Sequence, residues 1–201
     1  MTAQPQKLYS EEEYLEIERK ADHKSEYYKG RISVMAGAGD NIIIGHNHSR
    51  INENISILVG SYLKGKSCRS YSRDIRVHIP ENGLYTYPDF LIVCGENKFR
   101  DDKKDTLLNP VVIIEILSES TSAYDRGEKF RFYRSIVSLT EYVTINSLSV
   151  SAEVFRKNEE NNLWFLASDA YSLKESIMVS SVDLKLSMAD IYVQTEGLIP
   201  V

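Results

Sequence analysis

Pro110-Val111-Val112-Ile113-Ile114-Glu115-Ile116-Leu117-Ser118 is the stretch whose reading decides the fold. A short β-branched run of this kind belongs to a strand covered on both faces, near the middle of a sheet. Glu115 interrupts it. An ionised carboxylate in such a place costs several kcal/mol unless a cation or strong donors meet it, so the chain must supply a partner. A metal ion is the obvious candidate. With a period of two, Ile113, Glu115 and Leu117 share one face of the strand.

Two neighbouring segments add polar groups. Upstream, Tyr87-Pro88-Asp89 opens a strand that runs to Cys94. Proline is tolerated at a strand's first residue and holds Tyr87 extended, which leaves Asp89 at the end of the sheet, facing a cleft. Downstream, Asp125 to Ile136 reads as a helix on which Asp125, Lys129 and Tyr133 form one stripe at i, i+4 and i+8. Each piece alone has a plainer reading: a turn aspartate, a buried glutamate paired with a lysine or arginine of the fold, and a surface ion pair beside an anchoring tyrosine.

The remaining pattern is mixed. Ser10-Glu11-Glu12-Glu13 has capping-box spacing before a short helix from Glu11 to Lys20. Ser25–Tyr28 and Arg31–Ala36 form a hairpin turning at Lys29-Gly30. Gly37-Ala38-Gly39-Asp40 is a flexible connection. Ile44, His48, Ile51, Ile55, Leu58 and Tyr62 then mark a long amphipathic helix from Asn41 to Lys64. Strands are expected at Arg73–Ile79, Glu141–Ile145, Val150–Arg156, Leu163–Ala167 and Val182–Leu186, with turns at Pro80-Glu81-Asn82-Gly83 and Asn158–Asn162, and a last helical turn at Met188–Tyr192. The order gives an α/β or α+β fold with a mixed β-sheet flanked by helices. Regular βαβ alternation and a glycine-rich first turn are missing, which excludes a Rossmann fold.

Bulk properties narrow the class. With 201 residues and no linker or repeat, residues 1–201 form a single domain, residues 1–8 being a flexible N-terminus. The formal net charge of −5 argues mildly against a broad nucleic-acid face, although Lys64, Lys66, Arg69, Arg73 and Arg76 concentrate positive charge locally. That cluster reads first as a solvated basic loop and strand edge. Cys68 and Cys94 are too few and too far apart for a zinc ribbon or a disulfide framework, and they fit a reducing cytosol. Met1–Leu8 lacks a signal-peptide core, and no apolar run approaches the ~20 residues of a membrane span. A cytoplasmic protein is expected.

Taken together, Tyr87-Pro88-Asp89, the strand ending Glu115-Ile116-Leu117-Ser118, Ser120-Thr121, and Asp125-x3-Lys129-x3-Tyr133 resemble the Uma2 family of putative restriction endonucleases (formerly DUF820), within the PD-(D/E)XK nuclease superfamily. Glu26-x3-Gly30-x-Ile32 is similar to the family's first hairpin, Glu141-Tyr142-Val143-Thr144-Ile145 to the strand after its helix, and His46 falls where such proteins often carry a histidine. The likeness runs from about Tyr9 to the C-terminus.

The resemblance implies a restriction-endonuclease-like core with an N-terminal helix and hairpin, acting as a Mg²⁺- or Mn²⁺-dependent endonuclease on DNA. It implies Asp89 and Glu115 as metal ligands, with the Ile116 carbonyl a further oxygen donor, Lys129 as catalytic helper, and Glu26 as an accessory acid. His46, Asp125 and Tyr133 are assigned to substrate contact, and a homodimer is expected. The superfamily pattern wants a lysine where Leu117 stands. Members of this family share the departure, and Lys129 is the natural substitute. The rival reading is a catalytically weak or inactive nuclease-fold scaffold or DNA-associated accessory protein, favoured by Leu117 and the acidic net charge.

Overall fold

In the computed structural model, which describes residues 7–35 and 42–199, the chain opens with helix α1 (Glu11–Glu18). Its capping box is complete: Glu13 N–H donates to Ser10 Oγ at 3.1 Å, and Ser10 N–H donates to Glu13 Oε2 at 2.8 Å. Strands β1 (Ser25–Tyr28) and β2 (Arg31–Val34) form the expected hairpin, with positive φ at Lys29 (47°) and Gly30 (83°). That pair of signs is what a tight two-residue hairpin demands. Helix α2 (Ile42–Leu63) follows, then β3 (Cys68–Ser72), β4 (Arg76–Ile79), β5 (Leu84–Thr86), β6 (Phe90–Cys94), β7 (Thr106–Leu107) and β8 (Val112–Leu117). A helical segment comes next: α3 (Ser122–Tyr124), a π turn over Asp125–Lys129, and α4 (Phe130–Tyr133). The chain finishes with β9 (Glu141–Asn146), β10 (Ala152–Lys157), β11 (Trp164–Ala170), β12 (Ser176–Val179), β13 (Leu184–Ser187) and α5 (Met188–Ile191). Gly37–Asp40 and most of the 1–8 terminus lie outside the described residues.

The strand carrying Glu115, β8, sits inside a six-stranded sheet of order β11-β10-β9-β8-β6-β3, parallel to β9 and antiparallel to β6. A five-stranded sheet of order β2-β1-β5-β4-β7 and the β12-β13 hairpin complete the architecture. Both faces of β8 are covered, as its composition demands. Ile114 and Ile116 pack with Ile51, Ile55 and Val59 of α2, while Ile113 packs on the other face with Phe132, Tyr133 and Tyr142. The two-residue period therefore puts Glu115 on the face that lies under the helical segment.

Several elements depart from the sequence reading. β3, β5, β7 and β12 were not anticipated, and the strand expected from Arg73 begins at Arg76. Cys68 and Cys94 stand directly opposite each other on β3 and β6 and are joined in a disulfide, contrary to the reading of the two as too far apart for one. Their separation in sequence hides a pairing that only the β3 register creates. The basic cluster also disperses. Arg76 is buried against Asp105, Thr106 and Tyr87, and Arg69 donates to the Gly95 carbonyl at 2.8 Å. Arg73 Nε lies 3.7 Å from Asp89.

Asp105 anchors the junction of α1 with the five-stranded sheet. Its carboxylate meets Arg19 Nε at 2.7 Å and Arg76 at 3.1 Å. Burial would raise its pKa, but the bonds from Arg19 and Thr106 and the two guanidinium charges outweigh that and hold it at about 2. A depressed folded value contributes stability above the unfolded pKa and loses it as pH falls through the folded one, here between roughly pH 4 and 2. Because Asp105 is a third exposed, screening limits the contribution to about 1 kcal/mol. Asp105→Asn is expected to flatten that acid limb in thermal melts across the same window. An unchanged pH profile would show the pair to be idle.

Candidate active site

The acids at the end of the six-stranded sheet are tied to one another through the backbone. Asp89 precedes β6, and its Oδ2 accepts the Ile116 N–H at 2.9 Å. In return, Asp89 N–H points to Glu115 Oε2 at 3.3 Å. Helix α2 adds two groups one turn apart: His48 Nε2 lies 3.2 Å from Asp89 Oδ2, and Asn52 Nδ2 donates to the Asp89 carbonyl at 3.3 Å. Arg73 Nε stands 3.7 Å from Asp89 Oδ1. Burial would raise the Asp89 pKa, yet His48, the Ile116 N–H and the Lys129 charge together hold it below the ordinary carboxylate value.

Glu115 is 2 % exposed. Its Oε1 receives the Tyr133 hydroxyl at 2.8 Å and Lys129 Nζ at 2.9 Å. Lys129 Nζ also lies 3.4 Å from Asp125 and 3.9 Å from Glu26, so one ammonium serves carboxylates from β8, the π turn and β1. Burial, with the charges of Asp125 and Asp89 adding to it, pushes the Glu115 pKa up to about 8 against the pull of Lys129. Burial likewise raises Asp125. Lys129 moves the other way to burial alone: the carboxylates of Glu115, Asp125 and Glu26 overcome desolvation and keep it protonated.

The helical segment explains how a lysine from outside the strand arrives there. Asp125–Lys129 is a π turn inserted between α3 and α4, a widening of the helix that recurs at functional sites. It leaves Asp125 and Lys129 both buried and Tyr133 fully enclosed one turn on. Leu117, two residues after Glu115, is fully buried and apolar. The neighbouring helix brings the ammonium of Lys129 to Glu115 instead.

Asp89, Glu115, Lys129 and Glu26 are thus brought together. Glu26 is fixed by the hydroxyls of Thr86 and Tyr124, the latter at 3.0 Å. Asp125 and Tyr133, expected at the substrate, are both buried and bonded within the cluster, Asp125 to Lys129 and Tyr133 to Glu115. The histidine that meets the acids is His48, while His46 is exposed. The signal was present in the sequence: His48 lies in the apolar stripe of α2 that must face the sheet, and His46 does not. Arg73, Asn52 and Tyr124 carried no comparable signal.

Among the described residues, no three His, Cys, Asp or Glu side chains come together as a preformed metal cluster, and no helix is long and apolar enough to cross a membrane. The donor chemistry nonetheless fits a hard divalent cation. Three carboxylates (Glu26, Glu115 and Asp125) meet one ammonium, and Asp89 stands beside them with His48 and Arg73, so acidic oxygens outnumber the cations in the cluster. Asp89 Oδ1 and Glu115 Oε2 are the loosely held oxygens, with partners no closer than 3.7 Å and 3.3 Å.

The fold is shared with a crystallised protein from Anabaena variabilis described as a putative nuclease belonging to DUF820. The two superpose with a TM-score of 0.68 over 90 % of this chain and 96 % of that one, at 19 % identity. Two uncharacterised Synechocystis sp. proteins are closer in sequence. The protein slr1290 is 32 % identical over 91 % of this chain and 90 % of its own length, and sll1609 is 34 % identical over 75 % and 82 %. The family profile described as "Uma2: Putative restriction endonuclease" matches residues 11–187. A match of that extent, on a chain that gathers Asp89, Glu115 and a helix-borne Lys129 at one sheet end, shows that the protein belongs to the Uma2 family.

Proposed function

We propose that this chain is a divalent-cation-dependent endonuclease that hydrolyses phosphodiester bonds in DNA. The observation that carries the reading is Lys129 Nζ at 2.9 Å from Glu115 Oε1 inside an acid-rich cluster. A buried acid cluster met by a single lysine supports catalysis over a scaffold, and Lys129, carried in by the helix, is placed to stand in for the missing strand lysine. Asp89 and Glu115 would hold Mg²⁺ or Mn²⁺, which when bound supplies Lewis acidity and offsets charge on the phosphate.

The chain's own groups then have distinct roles. His48 and the Ile116 N–H fix the Asp89 carboxylate, leaving Oδ1 outward. Tyr133 fixes Glu115 from below. Lys129 holds its proton at Nζ and would donate a hydrogen bond to the attacking water or to a phosphoryl oxygen as negative charge grows there. Glu26, braced by Tyr124, sets the position of Lys129 from the β1 side. Nucleases of this kind often cut the two strands of a duplex with two such sites, so the same reading includes a homodimer, which light scattering in solution would reveal.

The test is nicking of supercoiled plasmid by pure protein in Mn²⁺. Asp89→Ala is expected to slow it by about a thousandfold, the equivalent of roughly 4 kcal/mol of lost transition-state stabilisation. Equal rates for wild type and variant would assign the nicking to a contaminant and sink the proposal.

A further inference from the structure

A cavity of about 270 Å³ opens beside Asp89, and none of the roles above uses it. Its lining is Tyr87, Arg73, His23, Lys24 and Met35, with Asp89 and Pro88 completing the wall. We propose that this cavity holds one unpaired nucleotide of the substrate strand, its base against Tyr87 and a flanking phosphate on Arg73. This deepens, and rests on, the reading of Asp89 as part of a nuclease site.

Three observations carry the assignment. The volume lies just below the ~300–1,000 Å³ usual for ligand pockets, which suits a single nucleotide and excludes a duplex. The aromatic wall is braced: Arg76 Nη1 donates to the Tyr87 hydroxyl at 3.0 Å, and Lys24 Nζ lies 5.3 Å from the centre of the ring. A ring held in place offers a stacking surface to a base of any sequence.

The third observation concerns Arg73. It has φ +28°, a conformation that non-glycine residues rarely adopt and that surrounding contacts must enforce. Those contacts are visible. Arg73 N–H donates to the Asp89 carbonyl at 3.0 Å, and Lys24 Nζ donates to the Arg73 carbonyl at 2.6 Å. The peptide is therefore clamped on both sides while the guanidinium stays half exposed, with its Nε 3.7 Å from Asp89 Oδ1, beyond hydrogen-bond reach. A cation so placed at the mouth of an aromatic-walled cavity meets a phosphate better than it meets Asp89. Lys24 is already engaged with Asp74 at 2.6 Å and acts on the turn.

The experiment is binding of a single-stranded oligonucleotide containing 2-aminopurine, measured in EDTA so that no cleavage occurs. Wild type should change the probe's fluorescence. Tyr87→Leu should weaken binding about tenfold, and Tyr87→Phe should retain it because the ring remains. Arg73→Gln should weaken binding and lower the slope of log affinity against log salt by about 1, whereas Lys185→Gln, on the β13 hairpin, should not. Wild-type affinity in both Tyr87→Leu and Arg73→Gln would overturn the assignment, as would binding of a fully paired duplex as tight as that of the single strand. The two readings fail separately. Plasmid nicking with no single-strand binding defeats the cavity and leaves the nuclease, while binding lost in the variants without any Mn²⁺-dependent nicking defeats the nuclease and leaves the cavity.

Discussion

Glu115→Gln is expected to abolish Mn²⁺-dependent nicking and, in the absence of metal, to make the protein more stable in alkaline solution. The two effects share one cause. Glu115 is enclosed among Asp89, Asp125 and Glu26 with Lys129 as the shared counter-charge, and burial first, then Asp125 and Asp89, raise its pKa to about 8. The folded protein therefore favours the neutral acid. The stability conferred by that protonated form is fully present below the ordinary value near 4.5 and is lost as pH rises through about 8. Above that point an ionised Glu115 opposes folding. Glutamine keeps the shape and still accepts from Tyr133 and Lys129, but it removes the charge.

Against the relief stands the glutamine amide facing the Asp89 N–H, a lost hydrogen bond that costs about 1 kcal/mol. A net gain of about 1–3 kcal/mol is expected at about pH 9, and little difference at about pH 5. Thermal melts in EDTA at both pH values check this, alongside the plasmid assay. Mn²⁺ should raise the melting temperature of wild type and leave the variant unmoved, because a ligand stabilises only the state that binds it. A variant that nicks normally, or that is less stable than wild type at alkaline pH, would defeat the account of Glu115.

The same residue shows how much the sequence disclosed. Glu115 and its strand were legible because both faces of a central strand must be apolar, so one acid stands out against the pattern. The α1 capping box, the Lys29-Gly30 turn and the α2 stripe were legible because each depends on residues close in sequence. What stayed hidden depends on pairing between distant segments. β3 is a polar edge strand whose burial alternates only weakly, so neither its existence nor the Cys68–Cys94 contact had a local signature. β7 is two residues long and exists through its parallel partner β4.

At the site, the i, i+4 spacing suggested that Asp125 and Lys129 meet, which they do, but through a π turn that no periodicity announces. The inward direction of Tyr133 and Asp125 follows from how α4 docks on Tyr142, and the sequence is silent on docking. The contact of His48 with Asp89 was recoverable from the sequence, since His48 belongs to the apolar stripe of α2 that faces the sheet.

Lys129→Met is expected to destabilise the metal-free protein more than any other single change in the cluster. Lys129 is 4 % exposed, and its Nζ is the ammonium within 4.0 Å of Glu115, Asp125 and Glu26 together. Breaking a buried ion pair by removing one partner costs about 3–5 kcal/mol, because the charge left behind has no water to turn to. Methionine fills the space of the lysine stem, so a cavity adds little. For a domain of this size the loss corresponds to a fall in melting temperature of roughly 10 °C at about pH 8. The deficit should shrink toward about pH 5, since burial raises the Glu115 pKa to about 8 and also raises Asp125, so protonation of Glu115 removes charge that the lysine would have met. Mn²⁺ should recover part of the lost stability by supplying positive charge where the ammonium stood. Nicking should not recover with it: charge alone restores the fold, whereas catalysis needs the Nζ donor at the phosphate, so a refolded, metal-loaded Lys129→Met is expected to stay about a hundredfold slower than wild type. A variant that melts within a few degrees of wild type at alkaline pH would show that Lys129 does not neutralise the cluster, and one that nicks at the wild-type rate would remove it from the chemistry.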